Sequence, residues 1–430
     1  MQTLGAVSAL SIPTPLLGQS DLETNFDSYR GTLAILQGMT NRDSAQFIVL
    51  FPKKKRLSYQ VLDSQKNSYA VDVRRREVKI HSDQGVEKLF VSGLSLTNTY
   101  FLRAIDEAGS VVDEREFKAL DTLKPNPRIA IASCMKDIYV DSRESMWEAL
   151  AMSEPDMIFL NGDTCYADKD NSDADEKGFW RRYSETRGLI GFFRFKKLIP
   201  MVACWDDHDY GANNGDKNWA KKDLIKEIFE IFWDSETGAE LKHGPGMSLI
   251  VSAFGQRFCM MDGRYFKDPG SEGRYWGVDQ EEFLFEELEK NKQPAWLMNG
   301  TLFFGGYLKW ESLEYEKEKY FKEILSRLKG IEAPVTFVSG DVHFSEIMAI
   351  EEKILGYKTH EFVSSSMHSS TFPFLHLRAK NPRRLDATSI HNFMIFETEF
   401  DPKTNEWKIH CRCLGKKLNK ACELQTTIRR

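Results

Sequence analysis

A chain of 430 residues exceeds the length over which one hydrophobic core keeps growing, so two domains are expected. Its net charge of -6, with basic runs no longer than Lys53 to Arg56, excludes the coherent basic face that nucleic-acid binding requires. No window of about 18 uninterrupted apolar residues occurs, which excludes a membrane-spanning helix.

Met1 to Ser20 is apolar and small but lacks the basic start of a secretory signal, which implies either no export or a signal already removed. Seven short runs follow: Thr32 to Gly38, Ala45 to Phe51, Ser68 to Val73, Glu77 to His81, Glu87 to Val91, Thr99 to Ala104 and Glu116 to Leu120. Turn signals between them and the lack of a helical period predict an N-terminal β-sandwich over residues 1–124. Asn98 to Ala104, followed by Asp106-Glu107-Ala108-Gly109, resembles the penultimate strand and hairpin of a fibronectin type III module. Asp121 to Pro127, with two prolines and little apolar content, reads as a linker.

From residue 125 to 430 strands alternate with helices, the pattern of an α/β domain. Apolar strands are expected at Arg128 to Ser133, Met157 to Asn161, Pro200 to Trp205, Phe258 to Met261, Ala295 to Met298, Val335 to Ser339 and Glu361 to Ser364. Helices are expected at Ser142 to Met152, Lys221 to Trp233, Asp279 to Asn291 and Ser312 to Leu328. Seven cysteines form no disulfide framework, although Cys411, Cys413 and Cys422 lie close enough for one bridge or a reduced cluster.

The chemically loaded residues follow directly on strand ends: Ser133-Cys134, Gly162-Asp163, Asp206-Asp207-His208 and Gly340-Asp341-Val342-His343. Open α/β sheets bind ligands at the carboxyl ends of their strands, so these clusters are expected to converge. Asp206, Asp207 and Asp209 crowd like charges beside one imidazole, a cost that a bound cation removes; an Asx- and Gly-rich turn is the bland account. Gly162 and Gly340 let the backbone turn sharply and bring each following carboxylate close to what it binds. Asp163 suits a bridge between two ions, one to each oxygen.

Tyr166 and Cys134 offer a phenolate and a thiolate, a set that favours iron(III); alone, each would read as a packed core residue. His343 is the expected imidazole ligand, with Asp341 reaching the second ion. Asp207 and Asn213 present oxygen to a hard cation such as calcium or magnesium. His208 is expected to stabilise charge on phosphate or protonate a leaving oxygen, ligation of the second ion being its rival role. A bimetallic site that activates water and clamps phosphate is one of few routes to phosphate-ester hydrolysis.

Ala132-Ser133-Cys134, Gly162-Asp163 with Tyr166-Ala167-Asp168, Trp205 to Asn213 and Ser339 to His343 resemble the motifs of PhoD-type alkaline phosphatases. The likeness extends to Met261 to Tyr265 and Trp310-Glu311-Ser312. The resemblance implies an αββα metallophosphoesterase sandwich, an N-terminal β domain, iron(III) with calcium, hydrolysis of phosphomonoesters and phosphodiesters, and export to a periplasmic or extracellular space. By position, Cys134, Asp163, Tyr166 and His343 match the iron ligands, and Asp341, Asp207 and Asn213 the calcium and phosphate side. Zinc and manganese stay open as metals.

One position departs from the family: Lys169 stands where its better-known members carry arginine, a point charge in place of a bidentate fork. Arg264 is either a further phosphate contact or a structural salt bridge. The same chemistry permits a phospholipase D-like diesterase on lipid or polymer, for which Phe192 to Phe195 and Thr371 to Leu375 are the aromatic candidates. A degenerate, non-catalytic binding protein is the reading from another class.

Overall fold

The structure, a computed structural model, describes residues 27, 29–138, 140–169, 175–305, 312–378 and 380–430. Met1 to Ser20, Trp310 and Glu311 lie outside them.

The N-terminal strands are β1 (Ala34–Thr40), β2 (Ser44–Pro52), β3 (Ser58–Asp63), β4 (Ser68–Tyr69), β5 (Val71–Val78), β6 (Gln84–Ser92), β7 (Tyr100–Ile105) and β8 (Val111–Phe117). They form two four-stranded antiparallel sheets, ordered β1-β2-β6-β5 and β4-β3-β7-β8. The expected Ser68 to Val73 strand is split into β4 and β5, which lie in different sheets, and three further details differ from the sequence expectation. Ser58–Asp63 is an additional strand, its polar alternation masking it. Residues 77–81 form the end of β5 and a turn, not a strand of their own, and the last strand runs from Val111 to Phe117 instead of Glu116 to Leu120. Tyr100 opens β7, where its hydroxyl accepts from the Ser95 amide at 2.6 Å, the corner that pins such sandwiches.

Strand alternation explains how the sandwich attaches. Leu33, just before β1, and Ile35 on it enter the sandwich core with Phe47, Tyr100 and Phe117. Ala34 and Leu36 point the other way and join Ile48, Leu50 and Val86 in the larger core. The whole of β1 is therefore buried. Arg74, Arg75 and Arg76 lie on the edge strand β5 and pair with Asp72, Glu77 and Glu87, which spends this basic run on local ion pairs.

The remaining strands are β9 (Arg128–Ala132), β10 (Met157–Asn161), β11 (Met201–Cys204), β12 (Leu241–His243), β13 (Leu249–Ala253), β14 (Gln256–Met261), β15 (Ala295–Asn299), β16 (Val335–Ser339), β17 (Ser345–Ile350), β18 (Thr359–Val363), β19 (Arg384–Thr388), β20 (Phe393–Asp401), β21 (Glu406–Leu414) and β22 (Lys420–Arg429). One sheet is ordered β11-β10-β9-β20-β21-β22 and the other β12-β13-β14-β15-β16-β18-β17-β19. Each has a parallel centre, β11-β10-β9 and β14-β15-β16-β18, extended by antiparallel strands that the sequence pattern did not single out. The two sheets meet face to face through aromatic rings: Phe159 on Phe258 at 4.2 Å, and Trp296 against Phe396 and Trp407.

Helices α1 (Val140–Met152) and α2 (Glu176–Leu189) connect the parallel strands of the first sheet. The expected helices at Lys221 to Trp233, Asp279 to Asn291 and Ser312 to Leu328 correspond to α4 (Lys222–Trp233), α5 (Val278–Glu289) and the pair α6 (Leu313–Glu316) and α7 (Glu318–Gly330). A short α3 (Asp207–Tyr210) sits inside the acidic segment. The result is an αββα sandwich carrying an N-terminal β-sandwich. A disulfide joins Cys413 to Cys422, directly opposed on β21 and β22, while Cys411 is buried and free.

Candidate metal centre

Every parallel strand of both sheets ends at the same rim. Cys134 follows β9, Asp163 follows β10, Asp206 and Asp207 follow β11, and Asp341 and His343 follow β16. Ligand atoms of Cys134, Asp163 and His343 lie within 4.8 Å of one another, as do those of Asp163, Asp207 and His208, and those of Asp206, Asp207 and Asp341. Tyr166 joins the first group: its hydroxyl lies 3.3 Å from His343 Nε2 and donates to Ser369 Oγ at 2.9 Å.

Backbone geometry serves this closeness. Cys134, Asp163, Asp341 and His343 all hold left-handed φ, at 58°, 55°, 70° and 57°. Each such residue costs on the order of 1–3 kcal/mol and persists where the surroundings over-determine it, commonly at functional sites. Gly162 holds φ +90°, and a Cβ there would stand 2.7 Å from the Asp206 Cβ. At Gly340 a Cβ would meet Ser133 Oγ at 2.5 Å, so both glycines are demanded by close approach.

Buried carboxylate oxygens without partners are what a cation site looks like before the cation is counted. Among the described residues, both oxygens of Asp163 and Oδ1 of Asp207 are buried with no hydrogen-bond partner. Burial, together with the like charges of Asp207 and Asp206 and against the relief from His208, pushes the Asp163 carboxyl well above its usual range. Burial and Asp163 push up the Cys134 thiol and the Tyr166 phenol in the same way. Burial and the neighbouring His208 lower His343 to about 4, leaving a neutral imidazole, the form that ligates. A bound cation reverses the penalty on thiolate, phenolate and carboxylate alike, so this donor set fits a metal ion.

His208 behaves oppositely. Although burial opposes the charged ring, Asp163, the hydrogen bond to Asp168 and Asp207 raise it to about 9. Its Nδ1 lies 2.8 Å from Asp168 Oδ1, and its ring stacks on Tyr166 at 4.0 Å. That leaves Nε2 as the ring nitrogen not engaged by Asp168. Asp168 also pairs with Lys169 at 2.8 Å, so Lys169 and His208 share one carboxylate.

Asp207 accepts from the Asn214 amide at 2.7 Å; burial opposes its ionisation, but Arg264, His208 and that amide hold it below the usual carboxylate range. Asn213 itself is exposed on the turn after α3. Arg264 is buried, its Nε on Asp206 Oδ1 and its Nη2 donating to Thr301 Oγ1 at 2.8 Å, which makes a salt bridge its structural role. Asp209 is a scaffold: its Oδ1 accepts from Thr164 and the Cys165 amide and its Oδ2 from the Asp206 amide. Of the aromatic candidates, Phe192, Phe193 and Phe195 are buried core, whereas Phe372 is exposed and its ring lies 5.9 Å from that of His343.

Several residues at the rim carry no sequence signal. Ser365 Oγ lies 3.0 Å from Cys134 Sγ and accepts from the His343 amide at 2.9 Å, tying two candidate ligands together. Lys136 sets its ammonium 5.8 Å from the Tyr166 ring centre. Serine and lysine runs are common enough that only the folded chain singles them out; Asp168 was already legible within the Asp163 motif. A cavity of about 800 Å³ is lined by residues of 116–121, 151–156 and 195–200 and includes no expected ligand.

No family model and no curated protein match the chain. A solved structure of PhoD superposes with a TM-score of 0.69, covering 93% of this chain and 90% of that chain at 16% identity. An amylomaltase from Corynebacterium glutamicum aligns over 36% of this chain and 24% of that chain, 10% identical, with a TM-score of 0.16 that carries no argument. In fold, from the β-sandwich through both central sheets, the chain is PhoD-like.

Proposed function

We propose that the chain hydrolyses phosphoric esters, monoesters and diesters, at a two-metal centre. The observation that carries this reading is the unpartnered, buried Asp163, placed within ligand distance of Cys134 and His343 on one side and Asp207 and His208 on the other. Cys134, Asp163, Tyr166 and His343 would hold one ion, with iron(III) the best match to thiolate and phenolate; Asp163, Asp207, Asp341 and Asn213 would hold a harder one such as calcium. Two ions so placed supply Lewis acidity toward phosphoryl oxygen and toward water.

The chain's own groups then divide the work. His208, charged and oriented by Asp168, donates from Nε2 to a phosphoryl or leaving oxygen. Lys169, 40% exposed and tied to Asp168, adds a point charge that attracts the ester without the two-pronged orientation of arginine. Arg264 acts through Asp206, neutralising a carboxylate that lies beside Asp207 and Asp341.

The test joins metal analysis to a visible spectrum and to hydrolysis of p-nitrophenyl phosphate. A phenolate-to-iron band lost in Tyr166→Phe is expected; stoichiometric zinc with no band would remove iron, and no hydrolysis at any metal content would remove the function. Among substrates, exposed Phe372, Phe374 and Leu377 favour diesters with apolar groups. Rates on phosphatidylcholine vesicles against the soluble ester separate a lipase-like preference from a general one.

A further inference from the structure

Beside the metal-ligand rim lies a second cavity of about 490 Å³, within the range of small-molecule sites. Pro373, Phe374 and Ile390 give it an apolar wall, and Lys416, His376 and His391 a polar one. The segment that builds the apolar wall begins in the candidate site itself. Ser369 accepts from Tyr166, Ser370 Oγ lies 3.4 Å from His343 Nδ1, Phe372 stacks beside His343, and Pro373 and Phe374 follow directly. His391 closes the link from the cavity side, its Nε2 lying 2.7 Å from the Ser369 carbonyl oxygen.

Phe374 is 64% exposed and holds φ +64°, a left-handed conformation that a bulky side chain adopts only at a cost. Ile390 is 51% exposed on the facing wall. An exposed aromatic held in a costly conformation gains nothing for the folded core, since its side chain is outside it. It does shape a cleft one segment away from where the phosphoryl group would sit.

We propose that this cleft is a subsite for an aliphatic substituent of the phosphate ester, with Phe374 and Ile390 gripping the chain and Lys416 favouring an anionic molecule. The proposal rests on the phosphate-ester reading for the position of the phosphoryl group. It commits to one occupant, the apolar arm of the same molecule whose phosphate occupies the metal-ligand rim.

Calorimetric titration of the purified full chain with methyl-, propyl- and butylphosphonate tests it. Burial of each added methylene is worth about a fourfold gain in affinity, so butylphosphonate should bind about 60-fold tighter than methylphosphonate. In Phe374→Ser/Ile390→Ser that ratio should fall below about 5. Both positions are exposed, so folding should survive, and far-ultraviolet dichroism checks it. Ile80→Ser, at a 94% exposed position on the β-sandwich, should keep the wild-type ratio. Equal affinities for methyl- and butylphosphonate, or an unchanged ratio in the double variant, would overturn the subsite. Hydrolysis of p-nitrophenyl phosphate without chain-length dependence removes the cleft and leaves the function; chain-length-dependent binding without hydrolysis of any ester does the reverse.

Discussion

His208 and His368 illustrate how one side chain type is set to opposite states. His208 is kept charged by the carboxylates around it, chiefly Asp163 and the bonded Asp168, despite its burial. His208→Asn should therefore lower kcat by about 10²- to 10⁴-fold, the usual worth of a positioned proton donor, with Asp168→Asn costing less because the imidazole stays. Steady-state rates on p-nitrophenyl phosphate check both. His368 is buried and neutral: Nδ1 donates to the Lys136 carbonyl at 3.0 Å and Nε2 accepts from the Trp147 indole at 3.1 Å. A second proton has no place there, and burial lowers the group to about 4. The unfolded chain takes up that proton near pH 6.5 and the folded one does not. Stability is thus fully present above about 6.5 and falls toward pH 4 by about 1.4 kcal/mol per unit for this group. Urea midpoints of metal-free protein between pH 7 and pH 5 should drop, and His368→Gln should flatten that slope.

At the scale of elements, the informative units are strand ends. The parallel strands β9, β10, β11 and β16 were legible as apolar runs because both their faces are buried, and the residues after them form the candidate site. The antiparallel β21 and β22 were not, because their half-buried alternation resembles charged loop; helix α2 was hidden by its Gly, Ser and Thr content. Within the site, cysteine, tyrosine, aspartate and histidine were readable by type, whereas Ser365, which joins Cys134 to His343, could be found only from the folded chain. Arg264 shows the limit of such reading, since type alone does not distinguish a phosphate contact from the Asp206 ion pair. Gly162 is the element-scale prediction. Its positive φ and the Asp206 Cβ 2.7 Å from where a side chain would begin make Gly162→Ala destabilising by about 1–3 kcal/mol and displace Asp163 from its neighbours. Chemical denaturation and metal content, measured on the same sample, should fall together.

For the whole molecule, the β-sandwich and the two central sheets are joined by a shared apolar layer, Leu36, Ile48, Leu50 and Val86 against the larger core. The aromatic contacts between the central sheets hold two rims of strand ends together, and the candidate ligands come from both: Cys134, Asp163 and Asp207 from one sheet, Asp341 and His343 from the other. A metal pair between them is therefore expected to stabilise the folded protein as well as act on substrate. The most direct test is a titration of metal-free protein with the metal ions found in the native preparation, reading hydrolysis of p-nitrophenyl phosphate against ions bound per chain. Activity is expected to appear only with metal and to saturate at two ions per chain, and Asp163→Asn to abolish both the second ion and the activity. Full hydrolysis by metal-free protein, or an Asp163→Asn variant that binds two ions and turns over normally, would contradict it.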